Sequence, residues 1–460
     1  MPKSVLWFRR DLRLADNEAL CAAAVLGEVV PLFVLDPRFL ETSGAPRLAF
    51  LFRNLRALNE SMGGALVVRT GNPEQVVAQV CSEAGAERVV CAKDFAPYGM
   101  NRDEQVAASL AKNGITFQQV GSPYAVEPGV VRKGDGTPYA VFTPFSKIWM
   151  QHGWPAPFAK PSVQWSGAPG IASESIPQDP PCAANLPEAG EDAAWKVWEN
   201  FRDTALDLYN ETRNNPDIAG TSKLSPYLRF GVIHSRSLLA ELNETKAHAV
   251  FRSELGWREF YADVLFHQPR TVRENLQRKM DSIVVDTDER AHQRFALWCE
   301  GKTGYPIVDA GMKQLLATGW MHNRVRMIVA SFLVKDLHLP WQWGAKYFMK
   351  HLVDGDIASN QHGWQWTAGT GTDASPYFRI FNPISQGEKF DPNGDYVKKW
   401  LPQLKLLPNH LIHKPWSATK IELAFYNLTL GKDYPLPIVD HDEARKNALE
   451  ALTKSTISIK

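Results

Sequence analysis

No two cysteines in this 460-residue chain share a CxxC spacing; the five, Cys21, Cys81, Cys91, Cys182 and Cys299, are odd in number and scattered. That pattern excludes a disulfide framework and a thiolate zinc site, and it fits a reducing cytosol. Neither an HExxH nor an EF-hand spacing is present, so no metal is expected. A GxGxxG does not follow the first strand-like segment, and the Walker A spacing is absent, which argues against a dinucleotide dehydrogenase and a P-loop enzyme. No apolar run approaches the roughly 18 residues that span a membrane. The chain runs straight into Val5-Leu6-Trp7-Phe8 with no basic-then-apolar leader, so the expectation is a cytoplasmic protein. Excess charge is missing as well, the formal net charge being +1. Residues 1–199 hold 18 Lys and Arg against 21 Asp and Glu, and residues 200–460 hold 33 against 29. A polyanion would therefore meet a local patch and not a generally basic surface.

What is present is hydrophobic pattern and tryptophan. Short β-branched runs at Val5–Phe8, Val29–Leu35, Leu66–Arg69, Arg88–Ala92 and Ile115–Val120 alternate with helical patterns at Glu18–Leu26, Pro46–Ser61, Glu74–Ala84 and Arg102–Lys112. This alternation predicts a doubly wound, parallel five-stranded α/β domain over residues 1–125, with a ligand crevice outside the carboxyl ends of the strands. Those ends carry Arg9-Arg10-Asp11, Asp36-Pro37-Arg38 and Lys93-Asp94-Phe95. Residues 126–190 are rich in Pro, Gly, Ser and Ala and read as an irregular connector. Residues 191–460 show helical periodicity and hold most of the 15 tryptophans, which predicts an all-α second domain.

Five segments of that second domain carry chemistry. Gly220–Tyr227 bunches hydroxyls and a lysine ahead of a helical pattern, which suits either a capped helix start or a phosphate cradle. In Glu254–Tyr261 a helical register puts Glu254, Trp257 and Arg258 on one face: a surface ion pair beside a core indole, or a pocket wall. Trp320–Met327 sets Asn323, Arg326 and Met327 on a shared face, and Asp354–Trp366 places two carboxylates, the Asn360 amide and two indoles within one short stretch. Tyr377–Pro383 mixes aromatics with Arg379, as phosphate-and-base surfaces do.

Together with Trp7-Phe8-Arg9-Arg10-Asp11-Leu12-Arg13-Leu14-Ala15-Asp16-Asn17, the segments Thr221–Ser225, Trp257–Tyr261, Gly304–Asp309, Trp320–Arg324 and Gly363–Phe381 resemble the signatures of the photolyase/cryptochrome family, in that family's order. The resemblance covers nearly the whole chain and is nearest to class I members acting on cyclobutane pyrimidine dimers (CPD). It implies a monomeric flavoprotein lyase that repairs UV-damaged DNA in light, largely without regard to sequence. In such members excited FADH− donates an electron to a flipped-out dimer, and the electron returns once the ring has split. FAD is held in a U shape in the helical domain, and an antenna chromophore sits in the α/β domain.

By the same resemblance Tyr209, Thr221, Ser222, Lys223, Leu224 and Ser225 hold FAD, largely at its phosphates. Arg326 and Asp354 form an ion pair beside the isoalloxazine, Asp356 binds near the flavin edge, and Asn360 faces N5. Glu254, Trp257, Asn323, Met327 and Trp366 match the dimer pocket, with Glu254 the hydrogen-bonding partner of the dimer carbonyl. Arg213, Arg258, Arg324 and Arg379 match positions that hold the flanking phosphates. The second histidine expected of enzymes that repair (6–4) photoproducts is missing from Met321-His322-Asn323-Arg324. Asn360 stands where plant cryptochromes carry an acid and animal cryptochromes a thiol, which favours repair over the alternative of a blue-light photoreceptor. A receptor is also expected to carry a long C-terminal tail, whereas this chain stops about 60 residues after Trp400, in a helical pattern around Glu443–Thr453.

Two features depart from the family pattern. The photoreduction relay matches Trp364 (proximal) and Trp341 (middle), but the distal position holds Asp288. Trp343 or Tyr305 is the expected substitute; without one, photoreduction is slow. In the antenna domain Tyr98-Gly99 replaces the Asn-Glu pair of folate-binding members. This resembles deazaflavin-binding members, so 8-hydroxydeazaflavin is expected in preference to folate (MTHF), FMN or an empty site, with Arg9, Arg10, Asp36 and Asp103 as contacts.

Overall fold

The apolar alternation of the first strand organises the N-terminal half. In the computed structural model, which describes residues 2–168, 170–372 and 379–457, β1 spans Lys3–Phe8. Its side chains point alternately to the two sheet faces. Val5 and Trp7 join a core with Val77, Val80, Val106 and Leu110, from the helices Pro73–Ala84 and Pro97–Lys112. Leu6 and Phe8 face the other way, against Leu20 of Glu18–Val25 and Phe50 and Leu55 of Ala45–Ser61. β2 (Glu28–Leu35), β3 (Val67–Thr70), β4 (Arg88–Cys91) and β5 (Thr116–Gln119) complete a parallel sheet of order β3-β2-β1-β4-β5. The winding direction reverses between β1 and β4, which puts the crevice of a doubly wound sheet beyond Phe8 and Cys91. The expected fold class is therefore the one observed, with strand and helix ends within a few residues of the sequence reading.

The connector differs from its irregular expectation. It contains an 11-residue helix, Phe142–His152, whose Phe142, Phe145 and Trp149 are buried at helical spacing. The indole Nε1 of Trp149 donates to Glu259 at 2.7 Å, so this helix is pinned to the long helix Lys246–His267. The prolines on either side masked a pattern of only three turns. Further along, Ser166 and Ala168 donate backbone N–H groups to Val29 and Ala65, and Glu174 donates to Val68. The connector thus covers the β3 side of the sheet, where an unpaired strand edge would otherwise be open to pairing.

The rest of the chain is helical, as expected. One core continues from the inner sheet face through Trp149, Trp198, Phe251 and Phe260; a second gathers Trp298, Ile307, Val325, Phe332, Trp364 and Tyr396. The last helix, His441–Ile457, contains the segment expected around Glu443–Thr453. Among the described residues no helix is long and apolar enough to cross a membrane, and no group of His, Cys, Asp and Glu side chains is arranged to hold a metal ion.

Candidate functional site

A cavity of about 500 Å³ opens between the two cores. Tyr209, Arg213, Ser222, Ser225, Glu254, Trp257, Arg258, Asn323, Arg324, Arg326, Met327, Asp354, Asp356, Asn360, Trp364 and Trp366 line it, so segments more than 150 residues apart in sequence converge there. Thr221, Lys223, Leu224, Trp341 and Arg379 are not in its lining. Tyr377 and Phe378 lie outside the described residues.

From the Thr221–Ser225 segment, Ser222 and Ser225 face the cavity. The helix Ser225–Phe230 starts without a side-chain cap, so its first N–H groups are not taken up by a capping side chain. Lys223 sits at φ +53° with its ammonium 5.9 Å from the Trp320 ring centre, and the Trp320 indole donates to Ser225 Oγ at 3.2 Å. Leu224 turns inward and is buried in the core.

On the Lys246–His267 helix the anticipated Glu254–Arg258 pair does not form. Glu254 instead meets Arg213 at 2.7 Å. Arg258 donates to the carbonyls of Pro123 (3.1 Å) and Leu228 (3.2 Å) and lies 4.6 Å from the Tyr124 ring centre. Those carbonyls at the domain seam need donors, and they draw the guanidinium inward. These contacts make Arg258 a brace of the cavity wall that it also lines. The Trp257 indole stacks on Phe142 (3.9 Å, 13°), which occupies one of its faces.

The opposite wall is built by the helices Asn323–Ser331 and Ile357–Ala368. Arg326 pairs with Asp354 at 2.7 Å, the carboxylate side chain being 2% exposed. The second oxygen of Asp354, Oδ1, is buried with no hydrogen-bond partner among the described residues. Asn360 donates both amide hydrogens, to Ala345 O (3.1 Å) and Gln361 Oε1 (2.8 Å), so its Oδ1 is the group left to offer as an acceptor. Asp356 caps the second of these helices by accepting from the Ser359 N–H, and its other oxygen meets Arg10 at 2.6 Å. Burial, reinforced by Arg324, Arg326 and Arg213, depresses the His322 imidazole to about 4, which favours the neutral ring at pH 7.

At the mouth, Arg324 is bonded to Asn214 (2.7 Å) and rests 4.5 Å from the Phe390 ring centre. Burial lowers its pKa, and the nearby charges of Arg213 and Arg379 lower it further. Three guanidinium groups thus share one rim, and Arg379 is exposed.

Around Trp364 the ring neighbours are Phe348 (5.0 Å) and Trp298 (6.1 Å), and Gly344 is packed so closely on the indole that a Cβ there would overlap it. Trp341, on the same helix as Gly344, donates its Nε1 to Asn275 at 2.9 Å. From Trp298 the rings continue to Phe295 (5.8 Å), Trp343 (5.3 Å) and the exposed His292, stacked at 4.4 Å. Tyr305 is instead buried against Phe332 and Trp416. Sequence reasoning missed Trp298; its signal is Phe295 and Trp298 at i, i+3 in the helix that Asp288 caps by accepting from the Ala291 N–H (2.8 Å).

At the strand ends, the half-buried Arg9 and the buried Asp103 are paired with each other, with Arg9 also on the Ala92 carbonyl and Gln119 on Asp103 at 2.8 Å. The Tyr98 hydroxyl donates to Asp36, and Phe39 meets the Tyr98 ring edge-on at 4.7 Å. Arg10 is not with them. It pairs with Asp356, which lines the cavity, while its charge still acts on Asp94 at the crevice.

Two family models match the chain: "DNA photolyase" over residues 4–162 and "FAD binding domain of DNA photolyase" over residues 251–454. A deoxyribodipyrimidine photo-lyase of Agrobacterium fabrum is 41% identical, the alignment covering 97% of each chain. The solved structure of a class III photolyase from Agrobacterium tumefaciens superimposes with a TM-score of 0.93 at 39% identity, covering 99% of this chain and 98% of that one. That of a Synechocystis cryptochrome gives 0.88 at 29% identity, covering 98% and 99%.

Proposed function

The chain belongs to the DNA photolyase family, and we propose that it is a light-driven lyase that binds FAD in the cavity between Asn323 and Asn360 and splits cyclobutane pyrimidine dimers in UV-damaged DNA. The observation that carries this reading is the convergence of Glu254, Trp257, Asn323, Met327 and Trp366 with the Arg326–Asp354 pair and Asn360 around one cavity.

The residues present fit FAD. The volume lies in the range of cofactor pockets, Asp354 Oδ1 awaits a donor, and Ser222 and Ser225 bring hydroxyl groups to the lining. Once bound, reduced FAD supplies upon blue-light excitation the electron that opens the cyclobutane ring, and takes it back afterwards. The protein's part is orientation and electrostatics. Arg326 and Asp354 fix one edge of the site as a neutral pair, and Asn360 offers an acceptor oxygen to an N–H of the reduced ring. Glu254 faces the same space and is the carboxyl group available to the dimer, provided that Arg213 turns to a DNA phosphate.

A dimer inside a duplex is reached only by flipping it out, at a cost that weakened stacking reduces. Arg213, Arg324 and Arg379 are the groups for the flanking phosphates, which position a strand without reading it. The exposed face of Trp257 and the ring of Trp366 supply flat apolar wall for the extruded bases. For the antenna we infer 8-hydroxydeazaflavin over the strand ends, against Tyr98, Phe39 and Asp36; Arg9 and Asp103 satisfy each other and support this surface from beneath.

Irradiating the reduced protein with a thymine-dimer oligonucleotide under blue light tests the proposal. Recovery of thymine absorbance supports it. FAD bound without recovery favours the second reading, a receptor, to which the likeness to the Synechocystis cryptochrome lends weight.

A further inference from the structure

We infer that Arg10, supplied by the α/β domain, is a positioning residue of the flavin cavity in the helical domain: it holds Asp356, and through it the start of the Asn360 helix. This rests on the reading of the cavity as a FAD site.

The geometry begins at the end of β1. Trp7 and Arg9 turn to one side of the sheet, where the Arg9 guanidinium lies 4.6 Å from the Trp7 ring centre. Arg10 turns to the other side and reaches Asp356 at 2.6 Å, across 346 residues of sequence. The segment that follows is stitched to the helical domain. Leu12 N–H donates to the Phe230 carbonyl at 3.2 Å, and Arg13 donates to the Gly231 carbonyl at 3.0 Å. Gly231, at φ +62°, rests against the Arg10 carbonyl so closely that any Cβ would overlap it. The backbone carrying Arg10 therefore has a fixed place relative to the cavity.

Asp356 uses its two oxygens for two tasks. One accepts from the Ser359 N–H at 3.0 Å and starts the helix Ile357–Ala368; the other receives Arg10. Asn360 follows one turn into this helix and Trp364 one turn later. Beside it, Arg229 donates to the Gly355 carbonyl at 2.9 Å. Burial by itself would raise the Asp356 pKa, but Arg10 and Arg229 outweigh it and hold the carboxyl well below the usual range. Asp356 is thus held ionised at the cavity lining, and Arg10, its ion-pair partner among the described residues, belongs to the other domain, while Arg229 acts on it from the helical side. Without Arg10 that charge is buried and short of a partner, which costs more than the pair contributes when intact.

A mutant cycle in the full-length protein tests this, reading FAD affinity by fluorescence titration of the flavin-stripped chain and antenna content by absorbance. Arg10→Gln is expected to raise the Kd for FAD by roughly tenfold. Arg10→Lys is expected to recover most of that loss by restoring the charge. In an Asp356→Asn background, where no buried charge needs a partner, Arg10→Gln is expected to change affinity less than about twofold. An equal loss in both backgrounds would overturn the inference. So would unchanged FAD affinity accompanied by loss of the antenna band, which would return Arg10 to the antenna site. If the glutamine variant folds only in the Asp356→Asn background, that rescue is itself the expected coupling; failure to fold in both backgrounds is the contrary result. None of these readouts involves DNA, so a chain that shows the coupling yet fails to repair dimers refutes the repair proposal alone.

Discussion

The helical-domain cavity and the crevice at the strand ends both collect charged residues, but they pair them to different extents. In the crevice Arg9, Arg102, Asp94 and Asp103 pair among themselves, Arg102 and Asp103 buried and Arg9 and Asp94 half-buried. In the cavity Asp354 keeps an unpartnered oxygen, Asn360 offers an acceptor, and Arg213, Arg324 and Arg379 crowd at the rim with one carboxylate, Glu254, between them. Folding satisfies the first set internally. The second is poised for a partner, because buried polar groups are otherwise almost always paired. A cluster of charges at a ligand-binding position of a fold is thus weak evidence of a ligand until its own pairings have been counted.

The largest effect that tests this contrast is expected from Arg326→Ala. Removing one half of a buried pair leaves Asp354 uncompensated, a cost of about 3–5 kcal/mol. The purified variant should lack flavin absorbance and melt earlier than the parent. Next is Gly344→Ala, whose methyl overlaps the Trp364 ring; overpacking of about 1–3 kcal/mol should show in thermal melts together with slower photoreduction.

Replacing rim arginines should act on binding. Arg324→Gln and Arg379→Gln should each lower the dependence of log K on log salt by about 1, whereas Arg258→Gln should leave that slope unchanged, because its guanidinium is spent on Pro123 and Leu228. Equal slopes for all three would make Arg258 a phosphate contact as well. The smallest change in stability is expected of Tyr98→Phe, which removes one hydrogen bond worth about 0.5–1.5 kcal/mol and should diminish antenna absorbance while FAD is retained. Loss of FAD in that variant would erase the distinction between the two sites.

For the relay, Trp364→Phe should stop photoreduction and Trp298→Phe should slow it more than Trp341→Phe, with repair by chemically reduced protein intact. The reverse order would restore the path through Trp341.

The sheet was legible because strands buried on both faces read as near-continuous apolar runs, here from Val29 to Leu35 and from Val5 to Phe8. The cavity was legible through the family resemblance of its short segments; helical spacing by itself put residues such as Asn323, Arg326 and Met327 on one face without saying what they face. What stayed hidden depends on partners distant in sequence. Local spacing paired Glu254 with Arg258, but in the folded chain Arg213 and two carbonyls at the domain seam compete for them and win. Arg10 read as an antenna contact because its neighbour Arg9 lies at the crevice, and nothing in the sequence shows that the next side chain crosses to Asp356. The helix Phe142–His152 was hidden by its proline-rich flanks, and Trp298 by a single i, i+3 pair that resembles ordinary core.

The most direct test of the account is whether one cavity holds both flavin and lesion. Emission of the reduced, FAD-loaded protein should be quenched by a single strand carrying a thymine dimer, unaffected by the undamaged strand, and restored as blue light repairs the dimer. Glu254→Ala should lower repair per photon while retaining FAD. Unquenched emission at saturating damaged strand, with FAD in place, would contradict the account.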